Sequence, residues 1–288
     1  MKALVFGTTG QVAQALAQTC PAGVQMVALS RAQADLSDPV ACVAAIAAHP
    51  CDVIINAAAY TAVDRAEEEE ALATVINGAA PAAMARAAAA AGIPFLHVST
   101  DYVFDGTGEA PWRPEHATDP LNAYGRSKLV GEQGIQAAAG PHAILRTSWV
   151  FSETGANFVK TMLRLSDTRD ALSVVNDQIG GPTAADDIAV ALWSMAAQCH
   201  TGRAPSGIYH FAGAHDTTWE CFARETFAQA GRDVTVTGIP ASEYPTLAKR
   251  PMNSRMDCTS LEADFGITRP DWRASLGRVI TALNGIES

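Results

Sequence analysis

Lys2–Phe6 runs straight into Gly7-Thr8-Thr9-Gly10-Gln11-Val12-Ala13. This junction constrains the fold more than any other stretch. A short apolar strand must stop at Gly7, turn tightly and restart as a helix at about Gly10. The two glycines permit the turn and let another group approach the backbone, while free N–H groups at a helix start attract an anion. Ala13 stands where a third glycine often sits in such a loop. Gly7, Thr9, Gly10, Gln11 and Val12 are therefore candidate contacts for the phosphates of a dinucleotide.

The first half of the chain keeps this rhythm. Apolar runs at 24–29, 53–56, 94–99 and 142–148 predict strands, and 39–48, 64–91 and 122–139 predict helices between them. The alanine-rich run 79–91 favours helix and suits close packing on a sheet. Apolar strands alternating with helices predict an α/β fold: a Rossmann-like, doubly wound parallel sheet covered on both faces. After about residue 150 the rhythm loosens, with Pro and Gly clusters at 180–182, 205–207 and 238–245. The expected division is a dinucleotide-binding domain over 1–150 and a smaller α+β substrate lobe over 151–288, with some chain crossing back.

A net charge of −10 gives no global attraction for polyphosphate, so nucleic acid is not an expected partner. An anionic small ligand needs a local pocket of donors instead. Six cysteines without CxxC or zinc-like spacing are expected to be reduced and mostly buried. Gly7 and Gly10 interrupt the first apolar run, and no later run is long enough for a membrane. No signal peptide is expected, and the expected place is the cytoplasm.

The second strand ends at Ser30 and Arg31, with Asp35 and Leu36 just beyond. A guanidinium there suits a 2′-phosphate, so NADPH is expected ahead of NADH; the alternative is that Arg31 simply faces solvent. Asp35 would meet an adenine amino group and Leu36 its ring. The third strand ends in Ala57, Ala58, Ala59 and Tyr60, small residues that leave room for a flat ligand. Asp64 and Glu67 read as a capping box, and Glu68 to Glu70 as a solvated helix face. The fourth strand ends at Thr100, whose hydroxyl suits a substrate carbonyl or, alternatively, its own backbone. Asp101 and Tyr102 follow it.

Asn122 then reads as a helix cap, which sets Tyr124 and Lys128 at i and i+4 on one face. A phenol is a poor acid at neutral pH, and an ammonium nearby is expected to lower its pKa. Glycine loop, strand-end Ser/Thr and Y-x-x-x-K, in that order, resemble the extended short-chain dehydrogenase/reductase family. NAAAYTAVDRAE, HVSTDYVFDG, LNAYGRSKLVGE, LRTSWVF, NFVKTMLRL, VNDQIGGPT and RPMNSRMD narrow the resemblance to its dTDP-4-dehydrorhamnose reductase branch, from Met1 to about residue 283.

The resemblance implies NAD(P)H-dependent reduction of dTDP-4-dehydro-β-L-rhamnose to dTDP-L-rhamnose. Tyr124 is then the proton donor, Lys128 its partner and Thr100 the hydroxyl that orients the ketone. On the substrate side it implies Asp101, Tyr102, Trp149, Asn157, Asp177, Gln178, Arg250, Asn253, Ser254 and Arg255, with Trp149 alternatively a core residue. Some relatives carry a magnesium site of glutamates at a dimer interface. Here Ala15 stands at one such position and Asp186 near another, so magnesium and that homodimer stay open. Two other readings are a reductase or epimerase of another nucleoside-diphosphate sugar, and a non-catalytic regulatory subunit of the methionine adenosyltransferase type. The complete Thr100, Tyr124 and Lys128 set argues against the last.

Overall fold

The computed structural model describes residues 1–286. Six parallel strands form the central sheet: β1 (Lys2–Phe6), β2 (Gln25–Leu29), β3 (Val53–Asn56), β4 (Phe95–Thr100), β5 (His142–Thr147) and a last strand, Gly207–His210. Across the sheet the order is Gly207–His210, β5, β4, β3, β1, β2. β1 pairs with β2 on one side and β3 on the other. The winding reverses there, which opens a crevice beyond the carboxyl ends of β1 and β3.

The strands are apolar along their length because both faces are covered. Ala3 and Val5 pack with Leu16 of α1 (Gln11–Gln18). Leu4 and Phe6 pack on the other face with Ile46 of α2 (Pro39–Ala48) and with Met84 and Ile135. α2 starts where Asp38 accepts the Val40 and Ala41 N–H groups, with Pro39 in the first turn, where its missing donor costs nothing.

The helix expected over 64–91 is broken. α3 (Val63–Ala66) and α4 (Glu70–Thr74) precede a π turn, Val75–Ala79, and only then comes α5 (Ala80–Ala90). Pro81 has no N–H to offer the Asn77 carbonyl four residues back. The Asn77 side chain is drawn inward: its Oδ1 accepts the Tyr60 N–H at 2.8 Å, and its Nδ2 donates to the Tyr60 carbonyl and Ser127 Oγ, both at 2.9 Å. The capping box is also absent. Asp64 accepts from Arg250 and the Ala248 N–H, and Glu67 accepts the Ala123 N–H. Two of the three following glutamates are engaged as well, Glu69 with Tyr60 and Arg65, Glu70 with Arg126.

α6 (Ala123–Ala137) leads to β5, and α7 (Phe158–Ser166) opens the second half. α8 (Ala185–His200) then returns beside α1, and Gly207–His210 extends the sheet past β5. α9 (Trp219–Gln229), α10 (Thr259–Phe265) and α11 (Trp272–Ile286) are the remaining α-helices of the described residues. Away from the large sheet, Phe151, Phe222, Trp272 and Leu276 form a second core. All six cysteines are free; Cys42 and Cys258 are buried, Cys221 is exposed and the others lie between, so burial is less general than expected. No helix among the described residues is long and apolar enough to cross a membrane.

Candidate active site

The crevice widens into a cleft of about 870 Å³. Every residue expected at a dinucleotide lines it: Gly7, Thr9 to Val12, Ser30, Arg31, Asp35, Leu36, Ala57 to Tyr60, Tyr124 and Lys128. A smaller cavity of about 450 Å³ lies at the opposite end of the sheet and holds none of them. Gly7 has φ +113°, and a Cβ there would lie 3.3 Å from Ala13 Cβ and 3.4 Å from Ala58 Cβ. The loop is thus a cradle that a side chain would fill. Gln11 Oε1 accepts from Ser152 Oγ and Asn157 Nδ2, which ties this loop to the second half of the chain.

Arg31 is 78% exposed and its Nε donates to Asp35 at 3.0 Å. The Ser37 N–H, and then the Arg31 guanidinium, hold Asp35 below the usual carboxylate range. Both Asp35 oxygens are therefore engaged by their own turn. Ser30 is likewise held locally, by Gln33.

Asn122 caps α6 as expected: its Oδ1 accepts the Gly125 N–H at 2.8 Å, and its Nδ2 donates to the Lys249 carbonyl at 2.7 Å. The helix start presses on the β4 exit, since a Cβ on Gly125 would lie 2.2 Å from the Tyr102 carbonyl oxygen. Gly125→Ala is expected to push the α6 start off this carbonyl, costing about 1–3 kcal/mol and displacing Tyr124. Thermal unfolding and turnover measured together check it.

Tyr124 stacks edge-on against Tyr102, ring centroids 5.8 Å apart. Burial, and then the nearby Asp101 carboxylate, push its hydroxyl well above the usual phenol range, while the Thr100 hydroxyl pulls the other way. This reverses the expected lowering. Lys128 is buried: its Nζ lies 3.0 Å from His97 Nε2 and donates to the Val98 carbonyl at 2.7 Å. Burial lowers Lys128 to about 8, against the opposing charge of Glu132.

Thr100 accepts the Tyr102 N–H at 3.1 Å and donates to Asp101 at 3.0 Å, the local bonding foreseen as an alternative, yet it also lines the cleft. Burial raises Asp101 to about 6, offset by the hydroxyls of Ser254 and Thr100.

Trp149 lines the cleft in the left-handed region, φ 49°, a strained setting for a large residue. It stacks on Trp219 with centroids 3.6 Å apart. Trp219 also lines the cleft and was not foreseen; an aromatic residue just after Thr218, which caps α9, is the signal that could have found it. Thr147, at the end of β5, was missed too. Its Oγ1 is buried without a hydrogen-bond partner.

The remaining substrate candidates do not line the cleft. Gln178 Oε1 accepts the Trp219 indole N–H, so it holds the stacked pair. Asn157 caps α7, and Asp177 accepts the Ala241 N–H. Asn253 donates to the carbonyls of Thr107 and Ala110, and Arg255 to that of Glu109. Arg250 is paired with Asp64 at 2.8 Å. Apart from Asn157, which caps its own helix, and Gln178, which meets an indole, these side chains satisfy backbone groups and carboxylates brought near only by the fold.

Asp186 and Asp187 lie in the first turn of α8, and Asp187 is engaged by Ser275 and Arg278. Ala15 is buried and has no ligand atom. No group of three or more His, Cys, Asp or Glu suited to a metal occurs among the described residues.

Residues 1–284 match the family model described as the RmlD substrate binding domain. The dTDP-4-dehydrorhamnose reductase of Sinorhizobium fredii is 44% identical over 98% of each chain. A crystal structure of a dTDP-4-dehydrorhamnose reductase from Clostridium acetobutylicum superposes with a TM-score of 0.93 at 35% identity, covering 99% of this chain and all of that one. The Bacillus anthracis reductase, solved in complex with NADP, gives 0.92 at 31% identity over 98% of this chain and 99% of its own. A cleft of this build and likeness over the whole length place the chain in the dTDP-4-dehydrorhamnose reductase family.

Proposed function

We propose that this chain reduces dTDP-4-dehydro-β-L-rhamnose to dTDP-L-rhamnose with NADPH. The observation that carries the reading is one cleft holding the Gly7–Gly10 cradle, Thr100, Tyr124 and Lys128 together, in a chain 44% identical to such a reductase. The Gly7–Val12 backbone holds the dinucleotide phosphates, and Ala57 to Tyr60 give its plane room. Bound NADPH supplies a hydride for C4 of the sugar. The Thr100 hydroxyl leaves its local bonds to orient the C4 oxygen. Tyr124, fully protonated at neutral pH, gives that oxygen its proton as negative charge builds there. An ammonium at Lys128 favours the resulting phenolate. Trp149 and Trp219 wall the sugar side, with the segments outside the large sheet after residue 150 forming the substrate lobe. Gln178 supports that wall through the Trp219 indole and Ser254 supports Asp101, while Asn157 ties the glycine loop to α7 and Asn253 holds the backbone near residue 110.

Arg31 serves cofactor choice. An exposed ion pair is worth little, so the guanidinium leaves Asp35 readily for a 2′-phosphate. Arg31→Ala is expected to raise KM for NADPH about tenfold or more and to leave KM for NADH within about twofold. Initial rates with both cofactors check it. The reading itself is tested by NADPH oxidation with dTDP-4-dehydro-L-rhamnose generated in place by a dehydratase and an epimerase. Consumption that needs every component and yields dTDP-rhamnose supports it. Absence of consumption, with NADPH still binding, overturns it.

A further inference from the structure

His97 lies behind Lys128 in β4, fully buried, and the mechanism above gives it no task. Its surroundings settle where its proton sits. Asn56 Oδ1 accepts the Ala58 N–H at 3.1 Å, so the Asn56 amide cannot turn over without facing one donor with another. Its Nδ2 therefore points to His97 Nδ1, at 3.1 Å, and Nδ1 must accept. A neutral imidazole that accepts at Nδ1 carries its proton on Nε2. Nε2 is the atom 3.0 Å from Lys128 Nζ. An amine accepts that N–H; an ammonium opposes it.

We propose that His97 is a positioning residue for Lys128: Asn56 holds the imidazole in its Nε2–H tautomer, which favours the amine and turns an ammonium toward the cleft. The proposal deepens the reductase reading and rests on it for its kinetic consequence. Other charges on Lys128 come from its own helix. Glu132, one turn on, favours the ammonium but is engaged by Arg146 of β5 and Ser99 of β4. Tyr124, one turn back, is protonated. Burial and the Lys128 charge hold His97 well below its ordinary pKa, so the ring is neutral at working pH.

Two measurements on the full chain test this. Imidazole 15N spectra, with His97→Gln identifying its signals among the seven histidines, read the tautomer directly. A bare Nδ1 and protonated Nε2 are expected from neutral to mildly alkaline pH; the opposite tautomer overturns the proposal. Asn56→Ala frees the ring to turn its lone pair to Lys128. The alkaline limb of kcat/KM is then expected to move up by about one pH unit. A limb that stays put while the 15N signals switch overturns the control of Lys128. An inactive chain that still shows the expected tautomer sinks the reductase reading and leaves the proton placement standing.

Discussion

Tyr124→Phe is expected to lower kcat by about a hundredfold or more while leaving the Kd for NADPH within about twofold. The substitution removes one hydroxyl from a partly buried ring and nothing else. The edge-on contact with Tyr102 needs only the ring, and the cap at Asn122 and the contact of Gly125 with Tyr102 hold the helix start. The size follows from the phenol's task. A phenol raised by burial does not give up its proton to water at neutral pH, so it acts only when a strongly basic oxygen forms beside it. Without it that oxygen must wait for a proton from solvent. Stopped-flow rates and a fluorescence titration measure both quantities. Turnover within about threefold of the parent would remove Tyr124 from the proton transfer.

Glu132→Ala should cost about 3–5 kcal/mol of stability, the largest loss among single changes near the site. Glu132 and Arg146 are 1% and 2% exposed and joined at 2.6 Å. Glu132 also accepts from Ser99 at 2.6 Å, while Arg146 lies over the Phe104 ring and donates to the Pro114 carbonyl. Removing the carboxylate leaves a guanidinium buried and unpaired. Urea unfolding checks the loss as a lower midpoint at unchanged slope. Replacing both partners by Glu132→Leu and Arg146→Met should recover most of it, because no charge is then stranded. A single change that costs under about 1 kcal/mol would show that water reaches this pair.

Sequence alone carried the fold well where local chemistry decides it. The run VIIN is β3, Pro39–Ala48 is a helix, and Asn122 caps α6. Each follows from period, propensity or a side chain bonding within three residues. The glycine loop was legible for the same reason, and all the residues tied to it line one cleft. The break at 75–79 was not legible, because Asn77 answers to Tyr60 and Ser127 rather than to its own helix. The partners of the block KRPMNSR were not legible for a related reason. Arg250 meets Asp64, 186 residues earlier, and Asn253 meets the backbone near residue 110. Y-x-x-x-K announced the pair but not its setting. That Lys128 faces His97 depends on how deeply β4 and α6 bury each other, which spacing does not encode.

The most direct measurement follows a label. With NADPH deuterated at the transferable position of the nicotinamide, the account predicts dTDP-L-rhamnose carrying one deuterium at C4 of the sugar, with one cofactor oxidised per product. Product without deuterium at C4, or an altered sugar formed with no net oxidation of cofactor, would contradict it.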